Sequence, residues 1–290
     1  MTESSIALLD ELVARCAFPK PSSSVVVAFS GGPDSTALTA LALHAGLRVT
    51  AWHIDHRLRP GSSVDAERAA AIADQLGAAF HVDLADLDDG PNLEARARAA
   101  RRALLPAEAM TGHTADDQAE TIMLALLRGT GATGLAGMRP GPSHPLLGLR
   151  RTDTAAVCDA LDLAPVVDPL NTDVRFRRNR LRHEALQLLN DIAERDVTPL
   201  FARAADLLRD DDDLLNSLAS TINPTNVAEL RKAPAPLARR ALRRWLTIDG
   251  YPPDAAAIER VIGVVHHDAA ACEVSGGRRV SRSAGRLRIE

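Results

Sequence analysis

Val25–Phe29 is a short apolar run with three adjacent valines. Such a run reads as a strand buried in a parallel sheet. It ends in the glycine turn Ser30–Ser35, and Thr36–Ala45 follows as a helix closed by Gly46. The pattern then repeats. Arg48–Ile54 reads as a second strand. Ser62–Leu76 reads as a helix capped by Ser62 or Ser63 and stopped at Gly77. Ala78–Asp83 is a third strand, and Asn92–Leu105 a helix with Asn92 as N-cap. Glu108–Thr111 is a short, weak strand, Thr114–Arg128 a helix and Gly129–Gly137 a glycine-rich loop. Thr152–Leu161 is a helix leading into the extended Ala164–Asp168. Alternating strands and helices imply right-handed crossovers, and so an α/β fold with a parallel sheet and helices on both faces.

The pattern changes towards the C-terminus. Glu184–Leu215 reads as largely helical with a break near Pro199, and the acidic run Asp210–Asp213 is expected at a helix end or hinge. Val227–Lys232, Pro236–Trp245 and Asp254–His266 read as short helices, and Glu273–Ile289 as a β-hairpin. A boundary is expected near 205–215, giving a first domain over 1–210 and a small, mostly helical domain over 211–290.

Composition narrows the class. Hydrophobic residues are 46% and charged residues 25% of the 290, enough apolar content to exclude disorder as the dominant state. No apolar run approaches the roughly 18 residues of a membrane span. Met1–Lys20 carries Glu3, Asp10 and Glu11, unlike a secretory signal. Cys16, Cys158 and Cys272 lie far apart with no CxxC pair. That spacing argues against a zinc ribbon, an iron–sulfur cluster and a disulfide scaffold. A cytoplasmic protein without membrane contact is expected.

Charge is divided unevenly. Residues 1–213 hold 22 basic and 31 acidic side chains, whereas residues 214–290 hold 12 and 7. Of the 34 basic residues only Lys20 and Lys232 are lysine. Arginines crowd at 175–182, at Arg239, Arg240, Arg243 and Arg244 on a helix at i, i+4 spacing, and at 278–288. Such runs are often only solvated faces. Three of them in an acidic chain point towards a polyanion such as RNA. The Arg239–Arg244 stripe has a second reading, in which it solubilises its helix or pairs with Asp210–Asp213.

The turn Ser30-Gly31-Gly32-Pro33-Asp34-Ser35 follows a buried strand and opens a helix. Its glycines allow close backbone approach, and the first helical N–H groups present the positive end of the dipole to an anion. Neither Walker nor dinucleotide spacing is present. A plain strand–helix turn is the alternative by spacing alone. The sequence SGGPDS resembles the SGGxDS loop of the PP-loop ATP pyrophosphatases, in which the loop holds the leaving pyrophosphate.

Further segments are similar to the tRNA(Ile)-lysidine synthetases. These are His53-Ile54-Asp55-His56-Arg57-Leu58-Arg59-Pro60, Asn92-Leu93-Glu94-Ala95-Arg96-Ala97-Arg98, Gly112-His113-Thr114-Ala115-Asp116-Asp117-Gln118-Ala119-Glu120-Thr121, and Asp168–Asp173 followed by Phe176, Arg178-Asn179-Arg180 and Arg182-His183-Glu184. The likeness runs over roughly residues 22–190. It departs from the family's pattern at His144, where an arginine is usual, at Leu170, where a serine is usual, and in the short stretch between Arg102 and Thr111. The further C-terminal domain of longer members is expected to be absent.

The resemblance implies an ATP-dependent ligase with Mg²⁺ as companion ion. ATP would adenylate the 2-carbonyl oxygen of the wobble cytidine in tRNA(Ile) with a CAU anticodon. The amine of free L-lysine would then displace AMP, changing decoding from AUG to AUA. Ser30, Gly31, Gly32, Pro33, Asp34, Ser35, Asp55 and His56 are the expected nucleotide-binding residues, with Asp34 also at Mg²⁺. The expected catalytic set is Asp117, Glu120, His113, Arg98 and Arg178. Arg182, Arg239, Arg240, Arg243 and Arg244 are the expected tRNA contacts, and a homodimer is one candidate assembly.

Several of these residues have ordinary structural readings. Asp117 with Thr114 fits a helix capping box. Arg98 can pair with Glu94, Asp34 can stabilise the helix N-terminus, His113 can be a hydrogen-bonded structural residue, and Asp55 can cap a loop. Asp116, Asp117 and Glu120 are acids on one helix, able to bind an ammonium or take its proton. The competing functions are another PP-loop enzyme, modifying tRNA or amidating a substrate, and a non-catalytic tRNA-binding protein.

Overall fold

The computed structural model describes residues 2–55, 57, 62–85, 96, 100, 103–167, 173, 175–248 and 250–290, with the side chains of Ser62 and Ser63 excepted. The expected Asn92–Leu105 helix, His56, Arg98 and the Asp168–Thr172 stretch fall largely or wholly outside these residues. The chain divides into two compact units, Met1–Ala205 and Asp206–Glu290.

The first unit opens with helix α1 (Glu3–Val13), which the sequence reading did not assign. Strands β1 (Ser24–Ala28), β2 (Arg48–Asp55) and β3 (Ala79–Leu84) alternate with helices α2 (Pro33–His44) and α3 (Ser62–Leu76). The strands form a parallel sheet in the order β1-β2-β3. Its register pairs Val26 with Thr50 and Ala51 with Phe80. The expected Glu108–Thr111 strand contracts to a bridge at one residue. Met110 N donates to Val26 O and Ala28 N donates to Met110 O, both at 2.8 Å, on the other edge of β1. β1 therefore has neighbours on both sides, β2 on one and Met110 on the other, so the strand order reverses at β1. In open α/β sheets the crevice beyond the carboxyl ends of strands at such a reversal is where ligands bind.

Helix α2 has no polar face: Ser35 to Ala42 are all buried. It packs on β1 and β2, and α1 and α5 (Arg151–Ala160) also pack against it. Leu9, Leu12, Val27, Phe29, Leu38, Leu41, Ala73 and Val157 belong to one aliphatic-rich core. A tether joins α1 to α5, where Ser5 Oγ donates to Ala160 O at 3.0 Å. Helix α4 (Ala115–Leu127) packs through Ala119 and Met123 against Leu181, Leu186 and Val197. Leu181 opens a π-helical turn at Leu181–Ala185, which follows a one-turn helix at Arg177–Arg180, while Leu186 opens helix α6 (Leu186–Ala193) and Val197 lies in the segment after it.

Helix α7 (Thr198–Ser220) carries Pro199 in its first turn, where a missing N–H costs nothing. The acidic run Asp210–Asp213 corrects an expectation, since it lies inside this helix and not at its end. Thr198, Ala205, Arg209, Asp212 and Ala219 are its buried positions, the last four spaced by helical turns, so the run continues one amphipathic helix.

In the second unit, α8 (Val227–Lys232), α9 (Ala235–Leu246) and α10 (Ala255–His266) precede β4 (Ala271–Val274), β5 (Arg278–Ser283) and β6 (Arg286–Ile289). The expected hairpin is thus a three-stranded antiparallel sheet. The extra strand arises because Cys272 and Val274 alternate with polar neighbours and pair with Val280 and Arg278. Leu230, Leu242, Val261, Val264, Val280 and Leu287 form its core. Asn226 and Asp254 cap α8 and α10 with their side chains. Among the described residues no helix is long and apolar enough to cross a membrane.

Candidate nucleotide and acid–arginine site

The turn after β1 is held by its own hydroxyls. Ser30 N donates to Ser35 Oγ at 3.2 Å, and Ser35 Oγ donates to Gly32 O at 3.1 Å. Gly32 N donates to Ser30 Oγ at 3.3 Å. Gly31 needs φ +76°, and a Cβ there would come within 3.0 Å of Val166 Cγ2. Val166 N also donates to Gly31 O at 2.8 Å, so the extended 164–167 segment walls the loop. Gly32 is the N-cap of α2 and Pro33 begins it. The N–H groups of the first turn are thus directed out of the sheet at its carboxyl edge.

Asp34 lies between this loop and the helices beyond. Thr154 Oγ1 donates to Asp34 Oδ1 at 2.6 Å, and Arg151 Nε is 3.9 Å from Asp34 Oδ2. Burial pushes the Asp34 carboxyl above its usual range; Asp117 adds to this, while Thr154 and Arg151 oppose it.

Helix α4 supplies the acids. Thr114 N and Oγ1 both donate to Asp117 Oδ2, at 2.9 and 3.0 Å, so Asp117 does close a capping interaction. Its other oxygen, Oδ1, takes Arg151 Nη2 at 2.6 Å. Glu120 is fully buried at 0% exposure, yet it is ringed by cations. Arg151 Nη1 and Arg182 Nε each donate to Oε1 at 2.8 Å, and Arg178 Nε donates to Oε2 at 2.8 Å. Arg178 in the one-turn helix and Arg182 in the π-helical turn are four residues apart, on one helical face, and both guanidiniums reach one carboxylate.

These contacts alter the expected roles. Burial alone would raise Glu120, but the bonds and charges of Arg182 and Arg151 outweigh it and hold the carboxyl below the usual range. Burial likewise opposes, and the Arg151 charge and Thr114 amide outweigh, in holding Asp117 low. A carboxylate held low is a poor proton acceptor. Asp116, the third acid of this helix, has separate partners. Its oxygens accept Arg150 Nη2 at 2.9 Å, Arg150 Nε at 3.0 Å and Arg151 N at 2.9 Å. Arg150 also pairs with Asp196. Arg182, expected at tRNA, is committed to Glu120 in this arrangement.

Sequence reasoning missed Arg151, whose guanidinium reaches Asp34, Asp117 and Glu120. A signal was available. Two adjacent arginines at the start of a helix face the positive end of its dipole, so they call for acidic partners from elsewhere. His113 Nδ1 and His144 Nδ1 each lie 2.7 Å from Thr111 Oγ1. The two rings meet edge to face at 5.2 Å, so His144 packs on His113. Burial lowers the pKa of His144. Asp55, buried at the end of β2, accepts Arg57 N at 2.9 Å through Oδ1.

The arginine stripe of α9 separates into distinct environments. Arg240 is 16% exposed, and its Nη1 donates to Asp212 Oδ1 at 2.6 Å and Asn216 Oδ1 at 2.9 Å. Asp212 is itself 4% exposed, so Arg240 is the half-buried partner of a buried carboxylate and not an open phosphate contact. Arg239 pairs with Glu259 at 2.6 Å. Arg243 and Arg244 are exposed.

Comparison with known proteins gives consistent matches. Residues 1–189 match the PP-loop domain family, and residues 226–288 match the TilS substrate binding domain family. The chain is 45% identical over 240 residues to the tRNA(Ile)-lysidine synthase of Mycolicibacterium paratuberculosis, covering 77% of this chain and 74% of that one. It is 41% identical over 265 residues to the enzyme of Rhodococcus erythropolis, covering 86% and 82%. With that of Gloeobacter violaceus it shares 38% over 271 residues, covering 84% and 83%. Among solved structures, the U34-tRNA thiolase NcsA from Methanococcus maripaludis superposes with a TM-score of 0.58 at 15% identity, over 72% of this chain and 81% of that one. That likeness concerns the fold.

Proposed function

The chain belongs to the tRNA(Ile)-lysidine synthase family of ATP-dependent ligases, and we propose how its residues divide the work. ATP is bound in the PP-loop domain, and tRNA(Ile) is the substrate. The turn Ser30–Ser35 cradles the pyrophosphate through the first N–H groups of α2 and the serine hydroxyls. The 2-carbonyl oxygen of the wobble cytidine attacks the α-phosphorus. A C2–O–P bond forms, the bond between α- and β-phosphates breaks, and pyrophosphate leaves. A neutral amine of L-lysine then attacks C2, the C2–O bond breaks, and AMP departs with the oxygen.

Asp117 and Glu120 hold the ammonium of lysine, and Arg178 and Arg182 hold Glu120 in place. His113 lies next to this pair in the chain and orients the base or its adenylate. Asp34 suits Mg²⁺ as a single carboxylate ligand. Burial has raised its pKa, which an adjacent dication would offset, with phosphates and water as the remaining ligands. When bound, Mg²⁺ neutralises charge on the departing pyrophosphate. Arg243 and Arg244 are the candidate phosphate contacts of the second unit. The reaction belongs in the cytoplasm, and light scattering distinguishes a monomer from a homodimer.

The observation that carries this reading is the joining of loop to acids by one side chain, with Arg151 reaching Asp34, Asp117 and Glu120. Asp117→Asn tests it. Loss of one charge-assisted bond, about 1.5–3 kcal/mol, raises the KM for lysine roughly 10- to 100-fold while adenylation continues. An unchanged lysine dependence removes Asp117 from the lysine site.

A further inference from the structure

Three carboxylates, Asp34, Asp117 and Glu120, face three guanidiniums, Arg151, Arg178 and Arg182. Two of the guanidiniums are bound on the acid side: Arg178 and Arg182 both donate to Glu120. Arg151 differs. Its Nη1 and Nη2 take Glu120 and Asp117 at 2.8 and 2.6 Å, while its Nε faces Asp34 on the nucleotide loop at 3.9 Å. One planar cation thus spans the place where an ammonium would sit and the place where phosphate would sit. A guanidinium is a strong bidentate partner for phosphate as well as for carboxylate.

We propose that Arg151 is a positioning residue that couples the two substrate sites, covering Asp117 and Glu120 until nucleotide phosphate draws its guanidinium towards the loop. Lysine then meets the oxygens that Arg151 releases, Asp117 Oδ1 and the shared Glu120 Oε1, only when nucleotide is bound. The proposal rests on the assignment of Asp117 and Glu120 to lysine. It also has an ordering consequence. A substrate cation cannot displace Arg151 without leaving that arginine's charge unmet, so lysine binds weakly until phosphate supplies the replacement partner. The same logic runs in reverse, because two coupled binding free energies are reciprocal. Glu120 retains Arg178 and Arg182 when Arg151 is replaced, which keeps the buried carboxylate paired and the fold intact.

The experiment is equilibrium dialysis of radiolabelled L-lysine with the full chain and a CAU-anticodon tRNA transcript. It is run with and without Mg²⁺ and an ATP analogue carrying a methylene bridge between the α- and β-phosphates. The wild type is expected to bind lysine at least 10-fold more tightly with the analogue. Arg151→Gln is expected to bind lysine equally with and without it, at the tighter level, and Arg151→Lys to restore part of the difference. A wild type indifferent to the analogue, or an Arg151→Gln protein that keeps the full difference, overturns the coupling. A separate arm uses Asp117→Asn. If that variant binds lysine as the wild type does, the lysine-site assignment falls, whatever Arg151 does.

Discussion

A Cβ on Gly112 would lie 2.8 Å from the carbonyl oxygen of Asp34 and 3.1 Å from the amide nitrogen of Ser35. The segment leading into α4 therefore touches the backbone of the nucleotide loop, and only a residue without a side chain permits it. Gly112→Ala should force the loop and the segment apart. Overpacking of this kind costs about 1–3 kcal/mol, which thermal denaturation reads directly. AMP release should fall by more than the stability loss explains, because the loop shifts relative to Asp117. Normal AMP release from a folded Gly112→Ala protein would show that the contact has no part in catalysis.

Ser35 binds both ends of its turn. Removing its hydroxyl frees Ser30 N and Gly32 O, a change worth about 1 kcal/mol of stability. Ser35→Ala should therefore fold but lose most ATP cleavage in the presence of tRNA. The pyrophosphate would face a relaxed turn lacking one hydroxyl donor. AMP production, followed by chromatography, is the readout.

Glu120→Gln removes the charge on which three arginines converge. Breaking a buried charge cluster this way costs about 3–5 kcal/mol. The pH dependence has a definite sign. The folded-state pKa of Glu120 lies below its ordinary value, so its stabilisation is complete above the ordinary carboxylate range and is lost as pH falls through the depressed folded value. The gap between wild type and Glu120→Gln should be full at neutral pH and close in acid. A gap that widens on acidification would contradict the arginine ring.

The α9 arginines should separate in their behaviour. Reversing Arg243 and Arg244 to glutamate should weaken tRNA binding and flatten its salt dependence by roughly one unit of slope per lost phosphate contact. Reversing Arg240 should instead destabilise the second unit, because Asp212 is buried against it. Filter binding at several salt concentrations and a melting curve on each variant distinguish the two effects.

Much of the first unit is legible in the amino-acid order. The valine run, the glycine turn and the capped helix at Thr114 declare themselves because local patterns decide them. The contact at Met110 is not legible as a strand, since one residue has no period. Nor does the acidic run announce that it lies within a helix, because four aspartates suggest a hinge until Asp212 finds Arg240 and Asn216. The acids of α4 are visible in sequence, but their occupation by Arg151, Arg178 and Arg182 is not. Those arginines come from 31 to 62 residues away in the chain, and a long-range ion cluster leaves no local period. His113 is legible as a candidate, whereas its contact with His144 depends on a loop returning to Thr111.

The most direct test of the whole account is incorporation of radiolabelled L-lysine into tRNA. The full chain is incubated with ATP, Mg²⁺, labelled lysine and a CAU-anticodon tRNA(Ile) transcript, and acid-precipitable label is counted beside AMP. Label is expected in the RNA that depends on ATP, appears with one AMP per lysine, and vanishes when the wobble cytidine is replaced by uridine. AMP release without lysine in the RNA, or label that survives the loss of that cytidine, would contradict it.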